Sequence, residues 1–116
     1  MKLLTFFTLS LTLLTLSVSA ESNWTQWRGT HGNGLSTASH VPESFSSDNV
    51  VWKTEVPGVG QSSPIFWEDS IFLSSATDGG NKRVVVAIDR KTGEIQWQTV
   101  VWEGEAEDTH SMNNRA

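Results

Sequence analysis

The sequence predicts an all-β fold: one antiparallel meander of four strands, preceded by a flanking strand. Three observations carry that expectation. No long stretch after Ala20 shows helical periodicity. Short runs rich in Val, Ile, Phe and Trp recur, with Gly, Pro, Asp and Asn between them. The connections between the last four runs are so short that neighbours must be antiparallel hairpins.

The elements follow in order. Met1-Lys2 supplies a short positive start, Leu3 to Leu16 is apolar apart from Thr and Ser, and Val18-Ser19-Ala20 places small residues ahead of Glu21. That is the pattern of an export signal cleaved after Ala20. It predicts a mature chain outside the cytoplasm, periplasmic or secreted, with no stable membrane insertion. Residues 21–48 read as an extended, loop-rich segment. Strands are predicted at Asn49–Val56, Ser62–Trp67, Ser70–Ser75, Arg83–Asp89 and Glu94–Val101, so that 49–101 form the folded unit. Residues 102–116 read as a connector towards a further unit.

The last turn has a clear chemical logic. In Asp89-Arg90-Lys91-Thr92-Gly93, the aspartate can accept backbone N–H bonds from residues two or three ahead. Gly93 takes the positive φ that follows a type I turn in a bulged hairpin loop, and Thr92 adds a hydroxyl. A phosphate-binding reading of Lys91-Thr92-Gly93 lacks the glycines and the helix such a loop needs.

Strands on either side of this turn are apolar on both faces. Val84, Val86 and Ile88 alternate with Val85 and Ala87, and Phe72 opposes Ile71 and Leu73. A sheet with one wet face alternates apolar with polar, so both faces should be covered. The rest of the chain is too small to cover both, which predicts stacking on like units and self-association if the chain is produced alone. A repeat supports this. Trp52-Lys-Thr-Glu-Val56 and Trp97-Gln-Thr-Val-Val101 share Trp-x-Thr-x-Val, 45 residues apart, a spacing within the range of four-stranded propeller blades.

At this point a resemblance becomes specific. Ala87-Ile-Asp89-Arg-Lys-Thr92-Gly93-Glu-Ile-Gln-Trp97 resembles the Ala-x-Asp-x-x-Thr-Gly-x-x-x-Trp motif of pyrroloquinoline quinone (PQQ)-like β-propeller repeats. Gly60-Gln-Ser-Ser-Pro-Ile65 is similar to the opening of an innermost strand in that family. Trp24-Thr-Gln-Trp27-Arg-Gly29, with Gly32-Asn-Gly34, is similar to the N-terminal signature of secreted bacterial members. The resemblance implies one four-stranded antiparallel propeller blade, with Asn49–Val56 as an outer strand and Trp52 and Trp97 as staples against a neighbouring blade's turn. Family propellers have several blades, so the sequence reads as a fragment. The structural motif residues are Ala87, Asp89, Thr92, Gly93, Trp97 and Trp52.

Composition narrows the function. Thirteen acidic against eight basic residues give a net charge of −5, which argues against nucleic acid as a partner. With no cysteine there is no disulfide, thiolate metal site or cysteine nucleophile. Quinone-dependent dehydrogenases of the family hold quinone and Ca²⁺ on the axis of a complete ring, often over a vicinal disulfide, and no acid here is assignable as their base. The expectation is therefore no catalysis, no cofactor and no metal, with other blades or protein partners as the binding targets. The alternatives are a part of such a dehydrogenase or a sensor propeller of a Ser/Thr-kinase-related protein. Asp108 and His110 lack a third ligand. Glu103, Glu105, Glu107 and Asp108 form a solvated loop without calcium-loop spacing, and His31 and His40 lie in Gly/Ser-rich loops. Trp24, Trp27 and Trp102 read as packing rather than sugar platforms, and Asn23-Trp-Thr25 as a chance match to a glycosylation pattern.

Overall fold

Four strands pair in the order in which they occur, forming one open antiparallel sheet. They are β1 (Ile65–Trp67), β2 (Ser70–Thr77), β3 (Lys82–Asp89) and β4 (Ile95–Glu103). The computed structural model describes residues 23–39, 41–110 and 112–116; the expected export signal and His40 lie outside them. Helix among the described residues is confined to two 3-10 turns, Ser47–Asn49 and Asp78–Gly80. None of these is long and apolar enough to cross a membrane. The chain is thus all-β, with a four-stranded antiparallel sheet.

β1 is shorter than the predicted Ser62–Trp67, for a chemical reason. Pro64 has no N–H to give to a ladder. Upstream of it the Ser62 hydroxyl substitutes for backbone, donating to Ser74 O at 2.8 Å and accepting from Ser74 N at 3.1 Å. One further bridge, Val59 with Ala76, continues the pairing. On the outer side of β1, Trp24 exchanges two backbone hydrogen bonds with Phe66, at 2.9 and 2.8 Å. The Glu68-Asp69 turn into β2 puts Glu68 at φ 52°, and Asn23 Oδ1 accepts the Glu68 N–H at 2.7 Å.

The predicted flanking strand at Asn49–Val56 is not a strand. Asn49 ends a 3-10 turn, and 50–56 run extended without joining the ladder. The segment lies over a face of the sheet instead of beside an edge, so only its side chains reach the strands. Its alternation is that of a strand nonetheless: Trp52, Thr54 and Val56 are half-buried, while Val51, Lys53 and Glu55 are exposed.

This placement covers one of the two apolar faces from within the chain. Ile71, Val84, Val86 and Ile88 form a buried cluster, with Phe66 and Leu73 beside it and Trp52 and Val56 packed over it. The opposite face is covered only in part, by its own side chains. Phe72, Ala87 and Trp97 lie in one row across the sheet. The Phe72 and Trp97 rings meet at 5.9 Å between centroids, tilted by 46°, and Ala87 in that row is fully buried. A larger residue than alanine at 87 would hold the two rings apart.

Beyond β4 the chain turns back onto the 3-10 turn between β2 and β3. Asn81 O accepts from Gly104 N at 3.0 Å, and Asn81 Oδ1 from Ala106 N at 2.9 Å. Arg115 donates to Glu107 O at 2.8 Å and to Gly79 O at 3.3 Å.

The Ser62 substitution for backbone generates a test. Ser62→Ala leaves the Ser74 N–H and C=O without that partner in a part-buried place, and should cost about 1–2 kcal/mol. Ser63→Ala, at an exposed neighbour, should change stability by less than about 0.5 kcal/mol. Denaturant unfolding of the two variants reads the difference; equal effects would remove the bridging role of Ser62.

Candidate functional site: a turn capped by tryptophan

The turn between β3 and β4 folds as its residue types require. Asp89 Oδ1 accepts from Lys91 N at 2.8 Å and from Thr92 N at 2.9 Å. Gly93 N donates to Asp89 O, and Asp89 N to Glu94 O, both at 2.8 Å. The Thr92 hydroxyl accepts from Glu94 N at 3.2 Å. Gly93 sits at φ 76°, a conformation that costs a side chain about 1–2 kcal/mol. These donors hold the Asp89 carboxyl below the usual aspartate range; the Thr92 N–H contributes most and the Lys91 N–H next.

The covering segment lands on this turn. Trp52 Nε1 donates to Arg90 O at 3.1 Å, and the Thr54 hydroxyl donates to Gly93 O. The Trp52 ring lies against Gly93 so closely that a Cβ there would sit 2.5 Å from Trp52 Cδ2. Gly93 is therefore required twice, once for its φ and once for its bare surface. The tip is tied to the β1–β2 turn as well. Arg90 N donates to Asp69 O at 2.9 Å, Lys91 pairs with Asp69 at 3.3 Å, and the Arg90 guanidinium lies 5.7 Å from the centre of the Phe66 ring.

Of the six motif residues, Asp89, Thr92, Gly93 and Trp52 come together at this turn. Ala87 and Trp97 do not join them: they occupy the opposite face, where Trp97 rests beside Phe72 and stays 47% exposed. Thr99 follows Trp97 as Thr54 follows Trp52, and lies opposite Val85. Sequence reasoning gave no part to Asp69, Arg90, Asn81 or Arg115. Only the meander offered a signal for the first pair, since it brings the first and third turns to the same end of the sheet.

The remaining candidates take structural places. His110 Nδ1 accepts from Met112 N at 3.2 Å within a local turn, and Asp108 is exposed. Glu103 pairs with Lys82 at 3.3 Å, while Glu105 and Glu107 are exposed. The Arg83 guanidinium sits 4.6 Å from the Trp102 ring centre, and that of Arg28 5.3 Å from that of Trp27. Trp24 packs on Gly29, whose Cβ would meet the ring at 2.7 Å. His31 lies in an exposed loop. Among the described residues no three His, Asp or Glu side chains gather as a metal-ligand set. Two hollows of about 200 and 220 Å³ lie beside Val84–Gln98 and beside Ser62–Ser75, and neither is lined by a titratable group.

Two expectations follow. Gly93→Ala should cost about 2–4 kcal/mol, from φ strain and collision with Trp52 together. In a Trp52→Ala background, which itself should cost about 2–3 kcal/mol at this half-buried position, only the φ part should remain. A double-mutant cycle by denaturant unfolding reads that coupling, and strictly additive effects would refute the contact. The second concerns pH. Because the folded Asp89 pKa is lowered, its contribution to stability is complete above the ordinary aspartate value and disappears as pH falls through the folded one. NMR titration should place the Asp89 midpoint below about 3.9. Asp89→Asn, which keeps the acceptor oxygen, should retain the turn but lose this acid sensitivity.

Compared with protein-family models, with curated proteins and with solved structures, the chain matches none.

Proposed function

We propose that this chain is an exported, non-catalytic module of the PQQ-like β-propeller repeat kind, built for interaction or scaffolding. On this reading the four-stranded sheet is one blade, and the work of the chain is to dock against other blades or protein partners in the periplasm or outside the cell. It needs no cofactor and no metal. The observation that carries the reading is the landing of Trp52 and Thr54 on the Asp89–Gly93 turn through side chains alone. A segment so attached works equally well whether it comes from the same unit or from a neighbouring one. The second copy of the pattern, Trp97-x-Thr99-x-Val101, presents the same chemistry on the outer strand, with Trp97 half-exposed. Each unit then takes one Trp-x-Thr segment and offers another, the nearest-neighbour logic of repeat architectures. The export signal read at residues 1–20 sets the compartment.

The test is a tandem chain in which residues 1–101 are joined directly to residues 57–116. Trp97–Val101 then precedes a second sheet as Trp52–Val56 precedes the first. The tandem should unfold at higher denaturant concentration than the single chain. Trp97→Ala in its first half should cost the tandem more stability than the same change costs the single chain, where it removes the Phe72 contact alone. A tandem no more stable than one unit would defeat the repeat-module reading.

A further inference from the structure

The two edges of the sheet are not alike. β1 is flanked by Trp24, which exchanges both backbone bonds with Phe66. The outer edge of β4 has no ladder partner among the described residues, and all nine residues of that strand are exposed. Natural edges of this length carry proline, lysine, an inward charge or a bulge to discourage pairing. β4 has no proline, lysine or inward charge, and its two bulges, at Gln96 and Val101, leave the stretch between them unprotected. Its one charged residue, Glu103, is paired with Lys82 on the neighbouring strand at 3.3 Å. Irregular registers against β3 fall near the two ends, at Ala87/Ile88 and Arg83/Val84, and leave the stretch from Trp97 to Val100 regular.

We propose that β4 pairs with β4 of a second copy, antiparallel, about a two-fold axis through Thr99. The occupant is argued from the strand itself. Thr99 is the midpoint of Ile95–Glu103 and lies in the regular stretch from Trp97 to Val100. This register sets Gln98 against Val100 and Thr99 against Thr99 within that stretch, and brings Trp97 to the bulge residue Val101. Aromatic–β-branched and Thr–Thr pairs are favourable cross-strand neighbours. The two Glu103 residues fall at opposite ends, each facing Ile95, so no like charges meet. An isologous, closed contact results, and two four-stranded sheets become one sheet of eight. This contact uses the backbone edge of β4. It does not depend on the tryptophan-docking reading, and a failed tandem experiment would leave it standing.

The absence of cysteine from the chain makes the test clean. Directly opposed residues in an antiparallel pair have Cα atoms about 4.5–5.5 Å apart, within the roughly 4.4–6.8 Å a disulfide spans. In the full chain, Thr99→Cys should therefore give a linked dimer under mild oxidation by copper phenanthroline. It should form about tenfold or more faster than with Lys53→Cys, an exposed position away from the edge, because pairing raises the local thiol concentration. Gln98→Cys and Val100→Cys chains, mixed, should link to each other faster than either links to itself, which fixes the register. The unaltered chain should sediment as a dimer, and Thr99→Lys, which sets like charges opposite each other, should shift it to monomer. Linking of Thr99→Cys no faster than the Lys53→Cys control would overturn the proposal. So would self-linking of the 98 and 100 variants equal to the mixture, a monomeric unaltered chain, or an open-ended ladder of larger species.

Discussion

The contact between the Trp52 ring and Gly93 is the constraint on which the other features of this sheet depend. The segment that carries Trp52 has no backbone ladder to hold it. Its attachment is one indole N–H, one threonine hydroxyl and the ring itself. Remove the ring and the cover over Ile71, Val84, Val86 and Ile88 loses its anchor. Place any side chain at 93 and the ring cannot approach. The cover therefore depends on the shape of the turn, which is set chiefly by local chemistry: a carboxylate collecting two N–H groups, and a glycine at positive φ.

From that contact the architecture follows in both directions. At the turn end, Asp69, Arg90 and Lys91 bind the third turn to the first, so the tip that receives Trp52 is braced from its other side. At the far end, Asn81 and Arg115 hold the returning tail through backbone carbonyl and amide groups. Between the ends, burial of apolar surface supplies the stabilisation, at about 25 cal/mol per Å². The supply is uneven: β2 and β3 carry all the buried strand residues, whereas β4 has none. The outer strand is held by its ladder with β3 and by the contact of Trp97 with Phe72.

How much of this could be read from the sequence depends on the range of the interaction. The turns and the four-strand meander were legible because they are local: Asp89, Thr92 and Gly93 act within five residues, and loops of two to five residues leave no choice of topology. The Asn49–Val56 segment misled because alternation reports which side chains face inward and not what the backbone pairs with. Trp52, Thr54 and Val56 face inward as a strand's residues would, yet lie across a face. The trimmed β1 was visible in Pro64, but the role of Ser62 was not, since a serine twelve residues from its partner carries no pattern. Asn81 and Arg115 lay beyond inference for the same reason, being single polar residues whose partners are backbone atoms that no sequence pattern marks.

The tryptophans share one physical problem, and their solutions differ in a telling way. A large indole packs best where the backbone is bare, and Trp24, Trp52 and Trp102 each lie against a glycine: Gly29, Gly93 and Gly104. Trp97 has no such partner. Its neighbour across the ladder is Ala87, its support is a tilted Phe72, and nearly half its surface is left in solvent. Yet it occupies the same place in its pentapeptide as Trp52, with a threonine two residues on. Position for position, the sequence equips 97–101 for the landing that 52–56 have made, and the only Asp-x-x-Thr-Gly turn in the chain is already taken by Trp52. A ring with the chemistry to dock and no bare backbone to dock on is the physical content of the proposed module. On that proposal, the ring's docking site would be a glycine turn supplied by another unit.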